Sequence, residues 1–254
     1  MNTAIKKLLD ATSGRLGIAI TRKKPDPLGG LVDLINRLES NLVIDVGANA
    51  GQYALALRSH GYSGRIESFE PVAAPYAAAV EAAASDARWN VHNFALGSTE
   101  GTAHIHVAGN AAASSSLLPM LSRHERSAPH SQYVADEMIR VRPLADMAEE
   151  LNLVEGVFIK IDTQGFEREV LKGCGDLIPD GVVGVQLELS LLPLYESGPL
   201  AGELINWMAE RELVVDFAAP GFTDQQTGEL LQFDAVFVHE SFQRSRDGSV
   251  SARD

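Results

Sequence analysis

Residues 41–61, NLVIDVGANAGQYALALRSHG, move from a short apolar run through a glycine-rich turn into apolar residues at helical spacing. A buried strand, a tight turn and a helix in that order restrict the chain to α/β folds, in which a parallel strand feeds a helix that packs back on the sheet. Gly47 and Gly51 allow turn conformations and close approach of a ligand that a side chain would block. The helix N-terminus that follows offers free N–H groups. The two glycines stand four apart, so this is not the dinucleotide fingerprint G-x-G-x-x-G. No Lys-Ser/Thr pair follows, which excludes a P-loop.

The same rhythm continues downstream. GRIESFEP, WNVHNFAL, GVFIKID and DGVVGVQLELS read as strands, and PYAAAVEAAASD, FEREVLKGC and PLAGELINWMAERE read as helices. This alternation predicts a mostly parallel sheet with helices on both faces. LVVDFAAPGF and LLQFDAVFVHE close the chain with only a turn-rich TDQQTGE between them, which predicts a final antiparallel pair. Residues 101–142 interrupt the pattern with two further strands, GTAHIHVAG and EMIRVRPL, joined by a polar, small-residue loop of the kind that serves function or lacks order. The expected organisation is an N-terminal helical extension over 1–40, an α/β domain over 41–240 carrying the 101–142 insertion, and a disordered tail over 241–254.

The formal net charge is −13, and Lys and Arg are scattered, so polyanionic partners such as nucleic acid are disfavoured. No apolar run approaches the roughly 18 residues of a membrane span. The N-terminus lacks the continuous apolar stretch of a secretory signal. It reads as a helix packed on the domain or, alternatively, an amphipathic helix resting on a partner or membrane surface. One cysteine, Cys174, leaves no internal disulfide and fits a reducing cytoplasm. It reads as a small packing residue.

The second strand ends at Glu70, about 25 residues beyond the first, where nucleoside-binding α/β folds place an acid that accepts from ribose hydroxyls. Together with the missing phosphate motif, this points to a nucleoside carrying no pyrophosphate. Alone, Asp45 and Glu70 are equally consistent with capping or surface charge; their joint spacing favours binding.

VIDVGANAGQY, FEP, IKIDTQGFEREVLKG, VQLELSLLPLY and FDAVFV resemble, in order and over roughly residues 40–240, the FkbM-type family of S-adenosylmethionine-dependent methyltransferases. The glycine turn is shared with many methyltransferases, whereas KIDTQGFEREVLKG followed by ELS and LY is specific to this family. The resemblance implies a Rossmann-like seven-stranded methyltransferase sheet, mostly parallel, with its last strand antiparallel. It implies that Asp45, Gly47, Ala48, Asn49 and Gly51 border the methionine part of S-adenosyl-L-methionine. Glu70 would hold the ribose with Pro71 beside it, and Phe94 and Ala95 would lie near the adenine. Gln164 stands where many members carry glutamate, which removes a possible acid.

Methyl transfer to a hydroxyl requires alignment behind the methyl and removal of the hydroxyl proton. Asp162, ending a strand at the expected cofactor face, is the first candidate for a base, with capping of the following turn as the alternative. Glu188, ending the next strand, is similarly placed, and the two carboxylates could share a divalent cation. His124 and His130 sit in the insertion, from which either could reach over the pocket as a base or remain a surface histidine. His104 and His106 alternate on a strand and read as cross-strand packing. Ser114, Ser115 and Ser116 could close a lid or simply link strands.

The expected activity is O-methylation of a small-molecule or carbohydrate-containing metabolite in the cytoplasm, with no nucleic-acid partner and a homodimer through the N-terminal region. Transfer to nitrogen or carboxylate, and an inactive cofactor-binding scaffold, share every cofactor residue and stay open.

Overall fold

The computed structural model describes residues 26–153 and 156–243. Most of the expected N-terminal extension, with its dimer contact, and most of the expected tail lie outside these residues. Helix α1 (Pro27–Arg37) begins at Asp26, whose carboxylate accepts from the Gly29 N–H at 3.1 Å, with proline in the first turn, where its missing N–H costs nothing. Strand β1 (Leu42–Val46) follows, then α2 (Gln52–Ser59), β2 (Arg65–Phe69), α3 (Ala73–Ala83) and β3 (Trp89–His92). Further along come β7 (Val157–Ile161), α5 (Glu167–Gly173), α6 (Leu177–Asp180), β8 (Val182–Ser190), α7 (Ala201–Ala209), β9 (Leu213–Pro220) and β10 (Gln232–His239). The intervening β4 (Ala95–Leu96), β5 (Gly101–Ala108), α4 (Ser122–Ser127) and β6 (Tyr133–Arg142) belong to a separate layer.

The main sheet has seven strands in the order β3-β2-β1-β7-β8-β10-β9. β10 runs antiparallel to both neighbours, and the neighbouring pairs from β3 to β8 are parallel. Strand order reverses between β1 and β7, and α/β sheets open a ligand crevice at such a switch point. The alternation of β1 assigns its two faces. Leu42, Ile44 and Val46 pack with Leu171 of α5 and Leu204 and Met208 of α7. Val43 packs on the opposite face with Leu31 and Ile35 of α1 and Leu57 of α2. Among the described residues no helix is long and apolar enough to cross a membrane.

The stretch read as one third strand is two. Asn93 ends β3 by donating its side-chain amide to the Glu70 and Pro71 carbonyls at 3.1 and 3.0 Å, after which β4 pairs with β6 instead. β5 and β6 form an antiparallel hairpin that completes a second, three-stranded sheet. The small-residue loop between them is anchored. Leu121 N–H donates to the Leu194 carbonyl at 2.9 Å, and Ser116 Oγ donates to the Gln164 carbonyl at 2.7 Å. His106 faces Asp136 across the hairpin with Nδ1 2.5 Å from Oδ1 and stacks on Tyr133, so it packs across strands, whereas His104 is exposed. Cys174 is fully buried, and burial pushes its thiol up to about 12.

The glycines of the first turn serve protein-on-protein packing. Gly47 has φ +74°, and a Cβ there would lie 1.9 Å from the Asp162 carbonyl oxygen, so the turn after β1 sits directly on the end of β7. Gly51 has φ +82° and faces the Trp89 indole, which a Cβ would approach to 2.7 Å. The sequence expectation of close ligand approach is therefore corrected at Gly51, whose close neighbour is an aromatic ring. Left-handed backbone alone costs a side chain roughly 1–2 kcal/mol, and the backbone clash adds to it at Gly47. Gly47→Ala is expected to lower the melting temperature by about 5 °C or more. Gly30→Ala, in α1 with nothing within 4 Å of its Cβ, is expected to leave it unchanged or raise it. Thermal unfolding of the two variants checks this, and equal behaviour contradicts the packing account.

Candidate functional site

At the carboxyl ends of β1, β2 and β7 lies a cavity of about 480 Å³. Its floor is the turn after β1, its roof is Ala112, Ala113, Ser115 and Leu117 of the insertion, and its wall on the β7 side is Asp162, Thr163 and Gln164. Asn49 joins three of these parts. Its backbone N–H donates to Glu70 Oε2 at 2.8 Å, its side-chain amide donates to the Ala111 carbonyl of the roof at 3.0 Å, and its φ of +48° is one that asparagine tolerates.

Glu70 is buried on the cavity wall. One oxygen accepts from Asn49 N–H and the other from Val72 N–H, both at 2.8 Å. Each oxygen keeps a lone pair free for a further donor, which suits a vicinal diol. Burial pushes this carboxyl up to about 7, against the two N–H groups and Lys160, which pull it down. Phe69, Pro71, Ala95 and Leu96 form the apolar wall beside it. Phe94, expected there, is corrected: it does not line the cavity, and its ring lies edge-on to Phe69 at 5.4 Å with the Arg140 and Arg142 guanidinium groups over it.

Asp45 also departs from the expectation, being fully buried behind the wall. Register places it beside Lys160 of β7, whose Nζ lies 3.3 Å from Asp45 Oδ1, 3.1 Å from the Gly47 carbonyl and 3.7 Å from Asp162 Oδ2. Ser68 Oγ donates to the other Asp45 oxygen at 3.2 Å. Burial pulls Lys160 down, and Asp45 and Asp162 more than offset it, so the ammonium stays charged. Asp45 thus acts on the cavity through Lys160.

The KIDTQGFERE motif shapes the other wall. Gln164 and Gly165 both have positive φ, and Glu167 closes the turn by accepting from the Thr163 and Gly165 N–H groups at 3.0 and 3.1 Å. Asp162 accepts from the Gln164 amide at 2.8 Å, and so does Glu188. The amide occupies the place between the two carboxylates that a shared cation would take. Among the described residues no group of three or more His, Cys, Asp or Glu could hold a metal. Tyr195 donates to the Gln164 side-chain oxygen Oε1 at 2.7 Å and fixes the amide's direction. Asp162 lines the cavity; Glu188 stands behind Gln164, and burial, with Asp162, Glu167 and Asp234 nearby, pushes it well above the ordinary carboxylate range.

His124 is also corrected. It is buried between Tyr195 and Phe222, with ring centroids 5.2 Å from each, and burial lowers it to about 4. It holds the roof down and does not reach into the cavity. His130 is exposed. Sequence reasoning passed over Lys160, Tyr53, Gln186 and Asp234, all of which line the cavity. The cross-strand pairing of Asp45 with Lys160 and of Lys160 with Gln186 is the signal that joins two of these positions to Asp45.

The chain matches the model of the methyltransferase FkbM domain over residues 45–214. No curated protein matches it. Among solved structures, magnesium protoporphyrin IX methyltransferase from Synechocystis PCC 6803 with bound S-adenosylmethionine is similar at 9% identity, with 84% of this chain and 78% of that one covered and a TM-score of 0.44. A SAM dependent methyltransferase from Aquifex aeolicus is similar at 13% identity, with 83% and 88% covered and a TM-score of 0.42.

The Glu70 carboxyl should act on binding and on folding in opposite directions. Its raised value means that the native state binds the proton more tightly than the unfolded chain. Its contribution to stability is therefore full below the ordinary glutamate value and lost as pH rises through about 7. A ligand diol needs the ionised form, so affinity for S-adenosylhomocysteine should rise over the same interval. Calorimetry and thermal unfolding from pH 5.5 to 8.5 check both trends, and both differences should vanish in Glu70→Gln. A wild-type affinity that falls toward pH 8 contradicts this role.

Proposed function

From its membership of the FkbM methyltransferase family, which makes the chain an S-adenosylmethionine-dependent methyltransferase, we propose that it methylates a hydroxyl of a small or carbohydrate-containing metabolite in the cytoplasm. The observation that carries this reading is the cavity itself. It is roofed by the insertion, and Lys160, its single lining cation among the described residues, is already held by Asp45 and the Gly47 carbonyl. Such a room has the size of a small-molecule site and offers no positive surface to a nucleic acid.

When bound, S-adenosylmethionine supplies an electrophilic methyl group. Glu70 would hold its ribose hydroxyls, and Phe69, Pro71, Ala95 and Leu96 its base. Gly47, Ala48, Asn49 and the free N–H groups at the start of α2 would border its methionine part, with Gly51 and Asp45 supporting them from behind. Asp162 would accept the proton of the acceptor hydroxyl as the new bond forms. The Lys160 ammonium lies 3.7 Å from Asp162 Oδ2, and the Gln164 amide fixes the carboxylate's direction. Glu188, behind Gln164, would position that amide.

Asp162→Asn is expected to reduce kcat by about 10²- to 10⁴-fold while S-adenosylhomocysteine affinity changes little. Assays with labelled cofactor, with the product located by mass spectrometry, check this. Methyl on nitrogen or carboxylate contradicts the O-methylation reading. Cofactor binding with no transfer across a broad panel favours a scaffold instead.

A further inference from the structure

The cavity extends past Asp162 to a second end that the cofactor reading does not use. Four charged side chains line it among the described residues: Glu70, Lys160, Asp162 and Asp234. Their places follow from strand order. Glu70 follows β2, Asp162 follows β7, and Asp234 lies near the start of β10, opposite Glu188. Because β10 is antiparallel, its start meets the carboxyl ends of the parallel strands. At about 4.8 Å per strand, Glu70 and Asp234 are separated by roughly 19 Å across the sheet, with Asp162 midway. A cofactor whose ribose sits at Glu70 brings its methyl group toward Asp162, leaving Asp234 at the acceptor end.

That end is polar by construction. Tyr53 donates its hydroxyl to Gln186 Oε1 at 2.8 Å, and the Gln186 amide lies 3.5 Å from Asp234 Oδ1. Lys160, the single cation lining the cavity among the described residues, has a fully buried Asp45 at 3.3 Å and the Gly47 carbonyl at 3.1 Å, so its charge is largely compensated. Asp162, which lines the cavity, would face the positively charged centre of the bound cofactor. Asp234 has one long hydrogen bond, to a neutral amide, and Lys160 acts on it only from beyond ion-pair distance.

We propose that Asp234 is a specificity-determining residue that receives a protonated amine on the acceptor, one ring's width from the hydroxyl that is methylated. Asp162 and Asp234 lie two strands, about 10 Å, apart. A sugar-sized ring of roughly 5 Å with a hydrogen bond of about 2.8 Å at each end spans that distance. Burial and the like charge of Asp162 hold the Asp234 carboxyl above its ordinary range, against the Gln186 amide and Lys160, which pull it down without offsetting them. An ammonium group would supply a close cation, and a second carboxylate or a phosphate would be repelled. The acceptor class is thus an amino sugar or a similar hydroxylated amine. This inference rests on the methyltransferase reading of the cavity.

The test measures binding of glucosamine, N-acetylglucosamine and glucuronate at pH 7 to the protein saturated with S-adenosylhomocysteine, by saturation-transfer NMR and calorimetry. Glucosamine is expected to bind about tenfold tighter than N-acetylglucosamine, with glucuronate weakest. Asp234→Asn should erase the amine's advantage while keeping S-adenosylhomocysteine affinity and melting temperature, and Asp234→Glu should retain part of it. Equal binding of the three probes, tighter binding of glucuronate, or an unchanged order in Asp234→Asn overturns the proposal. Failure of S-adenosylhomocysteine itself to bind would overturn the cofactor reading instead.

Discussion

The buried pair between Lys160 and Asp45 ties the whole site together. The two residues sit side by side on β1 and β7, at the switch point of the sheet, and face the α1 and α2 side. Removing either partner would leave an uncompensated charge in the interior, which costs far more than a surface ion pair. The ammonium also holds the Gly47 carbonyl, and a Cβ at Gly47 would meet the Asp162 carbonyl. The turn that would border the cofactor and the carboxylate that would serve the acceptor are therefore built as one rigid unit.

Around that unit the insertion supplies closure. Asn49 reaches up to Ala111, Ser116 reaches across to Gln164, and His124 is packed against Tyr195 and Phe222. Tyr195 in turn orients Gln164 between Asp162 and Glu188. Glutamine at position 164 satisfies two neighbouring carboxylates at once, where a third acid would repel them.

Much of this was legible in the sequence because it depends on local pattern. The strand, turn and helix of residues 41–61, the parallel strands that follow and the antiparallel closing pair are carried by apolar periodicity and by glycines at turns. Glu70 was legible because its distance from the first strand is fixed by one helical crossover. What escaped depends on pairing between distant strands. Lys160 in IKID carries no local signal, and its place shows only when β1 is set beside β7. Gln186 and Asp234 have no local pattern and meet only when β8 and β10 pair. The break at Asn93 was invisible because WNVHNFAL is a plausible strand throughout, and only the demand for side-chain amides at the Glu70 and Pro71 carbonyls ends it. Gly51 was assigned to the ligand because a glycine needed for a ring and one needed for a cofactor look alike in sequence.

The central claim is a direction: nucleoside toward β2, reacting centre at Asp162, acceptor toward β10. A crystal structure of the protein with S-adenosylhomocysteine tests it most directly. The account predicts both ribose hydroxyls within hydrogen-bonding distance of Glu70, with the sulfur between Glu70 and Asp234 and nearest Asp162. A nucleoside bound at the Asp234 end, or outside the cavity, would contradict it.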